Sequence, residues 1–236
     1  MGRRAAQAPG FPTNDRVRRA ALSLFALKGY EATGIRDIAN EAGISVATLY
    51  NYMSSKEDLL ISIMEEGLVQ IRDVALRTLK DQTDPIEQLA ALVRLHVWRH
   101  ANRRQSAVVV DTEIRSLSRE GLTHIISLRD EYENIWREVI RRGMLDGSFD
   151  VLEPKLVTLA ILEMCTGVSH WFRPNGELNL SYVSDVFADA ALGMTRAKRN
   201  DKPVRVSDVS RMDLEAIFLE LDESNSSGAR KTKSTS

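Results

Sequence analysis

A single cysteine, Cys165, occurs in 236 residues. It excludes an internal disulfide and fits a reducing compartment. Proline is scarce, 6 in all, so long helices meet few breaks. No apolar run approaches the roughly 20 residues that span a membrane. Arg3 and Arg4 lead into no apolar core, so the N-terminus does not read as a secretory signal. The expectation is a cytoplasmic protein with no membrane partner. A surplus of one charge is also lacking: the net charge is −1, so any attraction to nucleic acid has to be local. There is no glycine-rich phosphate loop, no G-x-S-x-G elbow and no convergent set of acids and histidines, and nothing supports an enzyme. No catalytic residue, metal or cofactor is assigned, and no internal repeat is found.

What is present points to helices and to one basic end. Hydrophobic content of 43% with 28% charged residues is that of a globular protein. Residues 1–56 carry eight Lys or Arg against four acids. Within them, residues 35–56, IRDIANEAGISVATLYNYMSSK, read as two short helices joined by a tight turn. Ile35, Ile38 and Ala39 recur at helical spacing, and Gly43 can take the left-handed conformation that ends the first helix. Ser45 sits where an N-cap belongs. Leu49 and Met53, four apart, pack inward and leave Thr48, Tyr50, Asn51 and Tyr52 pointing elsewhere. Ahead of this stretch, Val17, Ala20, Ala21, Leu24 and Phe25 form an apolar stripe that Lys28 and Gly29 close. Three short helices with the third exposed are the minimal helix-turn-helix reader of duplex DNA.

Residues 14–62 resemble the N-terminal domain of the TetR family of bacterial transcriptional regulators. The resemblance is carried by Ala21-x-x-Leu24-Phe25-x-x-x-Gly29-Tyr30, by Arg36-Asp37-Ile38-Ala39-x-x-Ala42-Gly43-Ile44-Ser45, and by Thr48-Leu49-Tyr50-x-Tyr52-Met53-x-Ser55-Lys56-Glu57-x-Leu59. Two positions depart from the family pattern. Gly34 replaces a hydroxyl residue at the start of the motif, which shifts the phosphate contact and cap to Thr33. Met53 replaces a frequent aromatic and should still fill the core. Arg36 and Lys56 are expected on phosphates, and the Tyr50 and Tyr52 hydroxyls on the DNA backbone. Asn51 belongs to the same exposed set, and Ser45, Val46, Ala47 and Thr48 lie nearest base edges. The plain alternative is a surface helix with two solvated tyrosines.

The resemblance implies an all-α homodimer that binds a pseudo-palindromic operator and represses transcription. Residues 1–13 would be a flexible arm, 14–58 the DNA-binding head, and 59–198 a helical ligand-binding and dimerisation domain. Serine caps at residues 54 and 55 open a helix reaching about residue 79, and Asp84-Pro85 opens another. Further helices are expected over 106–117 and 122–143, then from Glu153-Pro154 continuously to Trp171-Phe172, and finally from a Ser181 cap. The last two carry more apolar surface than a monomer buries, as a dimer seam would. The extension 199–236 should hold a short accessory helix near residues 210–221 and a disordered tail.

Trp98, Tyr132, Trp136, Met164, Trp171 and Phe172 offer an apolar pocket with polar handles, although aromatics at helical spacing also build cores. Residues 169–178, SHWFRPNGEL, are similar to the W-[YF]-R-P-x-G-x-L segment of a TetR branch that senses acyl-CoA thioesters and represses fatty-acid or steroid-ring degradation. A CoA ester needs cations for its phosphates, which singles out Arg129, His170 and Arg173. The plain reading of Arg173 is a helix C-cap. A small hydrophobic effector of the drug type, acting on an efflux-pump repressor, is the alternative, and a ligand-free architectural DNA-binding protein is the competitor from another class. His96-x-x-x-His100 resembles a metal pair but lacks a third ligand in sequence, so a surface pair beside Arg99, Arg103 and Arg104 is expected. Cys165 should be a buried small hydrophobe.

Overall fold

The computed structural model describes residues 13–212 and Ile217. Among the described residues ten α-helices follow one another: α1 (Thr13–Lys28), α2 (Ile35–Glu41), α3 (Val46–Leu49), α4 (Lys56–Leu79), α5 (Pro85–Asn102), α6 (Arg104–Thr112), α7 (Arg119–Leu145), α8 (Pro154–Thr166), α9 (Val168–Trp171) and α10 (Leu180–Met194). Their starts are set by side chains that satisfy the free N–H groups of the first turn. Ser55 accepts from the Asp58 N–H at 3.0 Å, Asp84 from Ile86 at 2.8 Å, Ser118 from Gly121 at 3.2 Å and Glu153 from Lys155 at 3.0 Å. The α1 and α2 segments end on glycines with positive φ, Gly29 at 84° and Gly43 at 67°, where a Cβ would be strained.

Two sequence expectations are corrected. Asn179, not Ser181, caps α10, because its side-chain oxygen takes the N–H groups of both Ser181 and Tyr182. The helix opened by Pro154 does not run unbroken to Trp171. At Gly167 the Ser169 hydroxyl donates to the Thr166 carbonyl at 2.9 Å, and the His170 N–H donates to Gly167 O at 3.1 Å. That exchange ends α8 and starts α9. A small hairpin also forms, β1 (Lys198–Arg199) with β2 (Lys202–Pro203). Asn200 and Asp201 hold its turn at φ 52° and 57°, the doubly left-handed geometry of tight hairpins.

Apolar side chains gather in two cores. One holds Phe25, Ile38, Leu49 and Met53 of the head, continues along α4 to Leu68, and takes in Val109, Val110, Ile125 and Leu128 of α6 and α7. The other begins at Ile71 of α4 and is built on α5, α7, α8 and α10. The head core thus crosses the expected boundary at residue 58, and α4 belongs to both. Past β2, Val204 and Val209 are buried on the second core, and Met212 and Ile217 pack against it. The N-terminal arm apart from Thr13, the accessory helix apart from residues 210–212 and Ile217, and the tail lie outside the described residues. Among the described residues no helix is long and apolar enough to cross a membrane.

Candidate DNA-binding surface and ligand groove

The head presents α3 outward. Ser45 Oγ accepts from the Thr48 N–H at 3.0 Å and shares a hydrogen bond with the Thr48 hydroxyl at 2.8 Å, so the cap that starts α3 also fixes Thr48. Leu49 is fully buried and anchors α3 to the head core. On the other side Ser45, Ala47, Asn51, Tyr50 and Tyr52 are exposed, with Val46 and Thr48 half-buried at the edge. Arg36 is exposed on α2. Arg16 donates to Ala42 O at 2.9 Å and ties α1 to the turn between α2 and α3.

Two expected phosphate contacts have other partners. Thr33 is 1% exposed and its hydroxyl donates to Gly29 O at 2.7 Å, so it offers neither a cap nor a surface contact. Gly34 is compensated by Asp37, whose carboxylate accepts the Gly34 N–H at 3.2 Å and places negative charge in the first turn of α2. Lys56 donates from Nζ to Tyr30 O at 2.9 Å and Thr33 O at 3.1 Å, and lies 4.0 Å above the Tyr30 ring. The ammonium fastens the α1–α2 connection to the start of α4. Beside it, Glu57 accepts from the Ser118 N–H at 2.6 Å. Hydrogen bonding from the Ser118 side chain, and then from its N–H, holds the Glu57 carboxyl below its ordinary range.

In the body, a groove of about 790 Å³ opens between α5, the α9–α10 connection, α10 and the last described residues, within the ~300–1,000 Å³ usual for small-molecule sites. Trp98, Pro174, Leu178 and Met212 line it, and Arg94, Phe172 and Ser184 are its buried members. Arg94 Nε donates to Asp185 at 2.8 Å, and Nη1 donates to Ser210 O at 2.7 Å.

The nine expected ligand residues are only partly brought together. Trp98 and Phe172 line the groove. Tyr132 and Trp136 are core, 5% and 0% exposed, with rings edge to face at 6.1 Å, and Met164 packs against the same core. Arg129 lies 3.5 Å from Asp111, whose carboxyl burial pushes up against the pull of that arginine. His170, Trp171 and Arg173 are exposed and outside the groove lining. The His170 carbonyl accepts from Arg104 at 3.1 Å, and the Arg173 carbonyl accepts from the Gly176 N–H at 2.9 Å. The main chain of Arg173 closes a turn.

His96 and His100 are not a surface pair. His96 is 4% exposed, its Nδ1 lies 3.0 Å from the Tyr132 hydroxyl and its Nε2 3.0 Å from that of Thr166. The two imidazoles stack at 3.9 Å. Burial lowers both pKa values, that of His100 to about 4, so both rings are neutral at pH 7. Among the described residues no group of three His, Cys, Asp or Glu is placed to hold a metal ion. Cys165 is fully buried and its thiol is pushed up by burial.

Sequence reasoning missed Arg94, Ser184, Asp185 and Met212. One signal was present: Arg94 interrupts the apolar run from Leu89 to Val97 and precedes Trp98 by one helical turn.

A capped, outward helix on a three-helix head, joined by a shared core to a larger helical body, defines a helix-turn-helix DNA-binding regulator. The chain belongs to the TetR family of bacterial transcriptional regulators. The model of bacterial regulatory proteins of the tetR family matches residues 17–63, and that of the tetracyclin repressor-like C-terminal domain matches residues 82–195. The family is one of regulators, not enzymes. The chain is similar to the HTH-type transcriptional repressor KstR2 of Mycolicibacterium smegmatis, 27% identical over 80% of this chain and 93% of the relative. It is similar in structure to the TetR family transcriptional regulator PfmR of Thermus thermophilus, with TM-score 0.70 and 32% identity over 79% of this chain and all of that one. AibR, solved in complex with isovaleryl coenzyme A and operator DNA, shares the fold with TM-score 0.70 and 23% identity over 76% of this chain and 97% of that one.

Proposed function

We propose that the protein is a homodimeric repressor that binds a pseudo-palindromic operator and is released by an acyl-CoA or related lipid catabolite. The observation that carries this reading is the groove, whose wall is formed by Phe172, Pro174, Gly176, Glu177 and Leu178 of the SHWFRPNGEL segment, together with Trp98. Leu178, Phe172 and Trp98 suit an acyl chain, and the exposed Arg211 on the rim suits a phosphate. The sharing of ligand and DNA by AibR supports the same chemistry here. Leu156, Leu159, Tyr182, Val186 and Met194 leave apolar surface exposed on α8 and α10, which a second copy would cover. Two recognition helices would then sit about one DNA turn apart, or a multiple of it. Effector binding favours a spacing that no longer fits the operator.

A mobility-shift assay with the DNA flanking the gene tests this reading. Long-chain or steroid-derived CoA esters should release the DNA, whereas free acids and cationic drugs should not. Release by cationic drugs alone would make the protein a drug sensor, and indifference to every compound would make it a ligand-free architectural binder.

A further inference from the structure

Among the described residues two helix hydroxyls, those of Thr78 on α4 and Ser184 on α10, are buried without a partner, and of the two Ser184 lines the groove. Thr158 and Thr195 each donate to the carbonyl four residues earlier, at 2.8 and 3.0 Å, and Ser169 donates to the carbonyl three residues earlier. Ser184 is 1% exposed, lines the groove, and its hydroxyl makes no hydrogen bond to a described residue. A buried hydroxyl without a partner is costly, and buried polar groups are almost always paired.

Arg94 lies in the same lining and is 4% exposed. Nε and Nη1 are engaged by Asp185 and by Ser210 O, whereas Nη2 makes no bond to a described residue. A guanidinium has five N–H donors, so donors remain at the buried end of the groove. Asp185 already balances the charge of Arg94, and a second carboxylate there would meet it as a like charge. An uncharged oxygen, a ketone or a hydroxyl, meets no such repulsion. The arginine is oriented by Ser210, which lies beyond the matched residues 82–195. The C-terminal segment thereby helps to form the site.

We infer that the groove selects ligands bearing an uncharged oxygen at the buried end of an apolar body, received by the Ser184 hydroxyl and the free donors of Arg94. This rests on the proposed acyl-CoA reading and narrows it to oxygenated acyl groups. Calorimetric titration of the full-length protein and of Ser184→Ala with decanoyl-CoA and 9-oxodecanoyl-CoA tests it. The natural protein should bind the oxo ester roughly tenfold more tightly, the worth of one good hydrogen bond. Ser184→Ala should keep the natural affinity for decanoyl-CoA and bind the oxo ester more weakly than the natural protein does, because the Arg94 donors alone remain. Without ligand it should melt no lower than the natural protein, since it loses an unpaired group. Equal binding of both esters by the natural protein, equal weakening of both by Ser184→Ala, or a lowered melting temperature would overturn the inference and leave the acyl-CoA reading standing. If neither ester binds nor releases operator DNA, both fall.

Discussion

Lys56 closes a turn with a charge that sequence position and family resemblance both assign to DNA. Its ammonium joins two carbonyls and a ring on the α1–α2 connection, and removing it leaves those groups without their partner. Lys56→Ala should lower the unfolding free energy by roughly 1–3 kcal/mol in urea titration. The dependence of operator affinity on salt should change by less than about 0.9, the slope of a single phosphate contact. A full loss of that slope with stability unchanged would return the residue to the DNA. Gly143 is a second residue whose type is dictated by a neighbour. A Cβ there would lie 2.1 Å from the Phe149 ring, and this ring is buried at 3% exposure. Gly143→Ala should cost about 1–3 kcal/mol by overpacking, seen as a lowered thermal midpoint, with no change in α7 helicity as the direct cause.

The elements were the most legible part of the chain, because their signals are local. Ser55, Asp84 and Glu153 each accept an N–H two or three residues on, and Gly29 and Gly43 stop their helices by backbone freedom alone. The recognition helix was legible for the same reason, since one serine caps it and one leucine anchors it. What escaped the sequence depends on distant partners. The break at Gly167 needs Ser169 and Thr166 in a bent geometry, and the burial of His96 needs Tyr132 and Thr166 from α7 and α8. The groove joins residues 94, 172, 184 and 212, separations that no periodicity records. Thr33 and Lys56 defeat the sequence pattern because a polar side chain can reach inward to a carbonyl as readily as outward to a phosphate.

At the scale of the whole molecule, the buried imidazoles make stability depend on pH. Both have lowered pKa values in the folded protein, so the unfolded chain binds more protons below about pH 6.5, the ordinary value for histidine. Stability should therefore be fully present above that pH and fall as pH drops toward about 4, the folded value for His100. The slope is up to about 1.4 kcal/mol per pH unit for each ring. Urea titrations at pH 7 and pH 5 should show the loss, and His100→Asn should reduce it. The proposed dimer is tested on α8: Leu156, 64% exposed, should tolerate Leu156→Glu without loss of helicity. The variant should run as a monomer in size-exclusion chromatography and lose operator binding, because one half-site alone supplies half the contacts.

The 24 residues of α4 run through both cores without a break, and this makes the helix a lever. At 1.5 Å per residue it is about 36 Å long, close to the ~34 Å that separates successive half-sites on DNA. A tilt of about 5° at its body end would swing its head end by roughly 3 Å, and in the proposed dimer two heads moving apart would double that figure. On that proposal, no large rearrangement of the groove is required for the heads to lose their register on DNA.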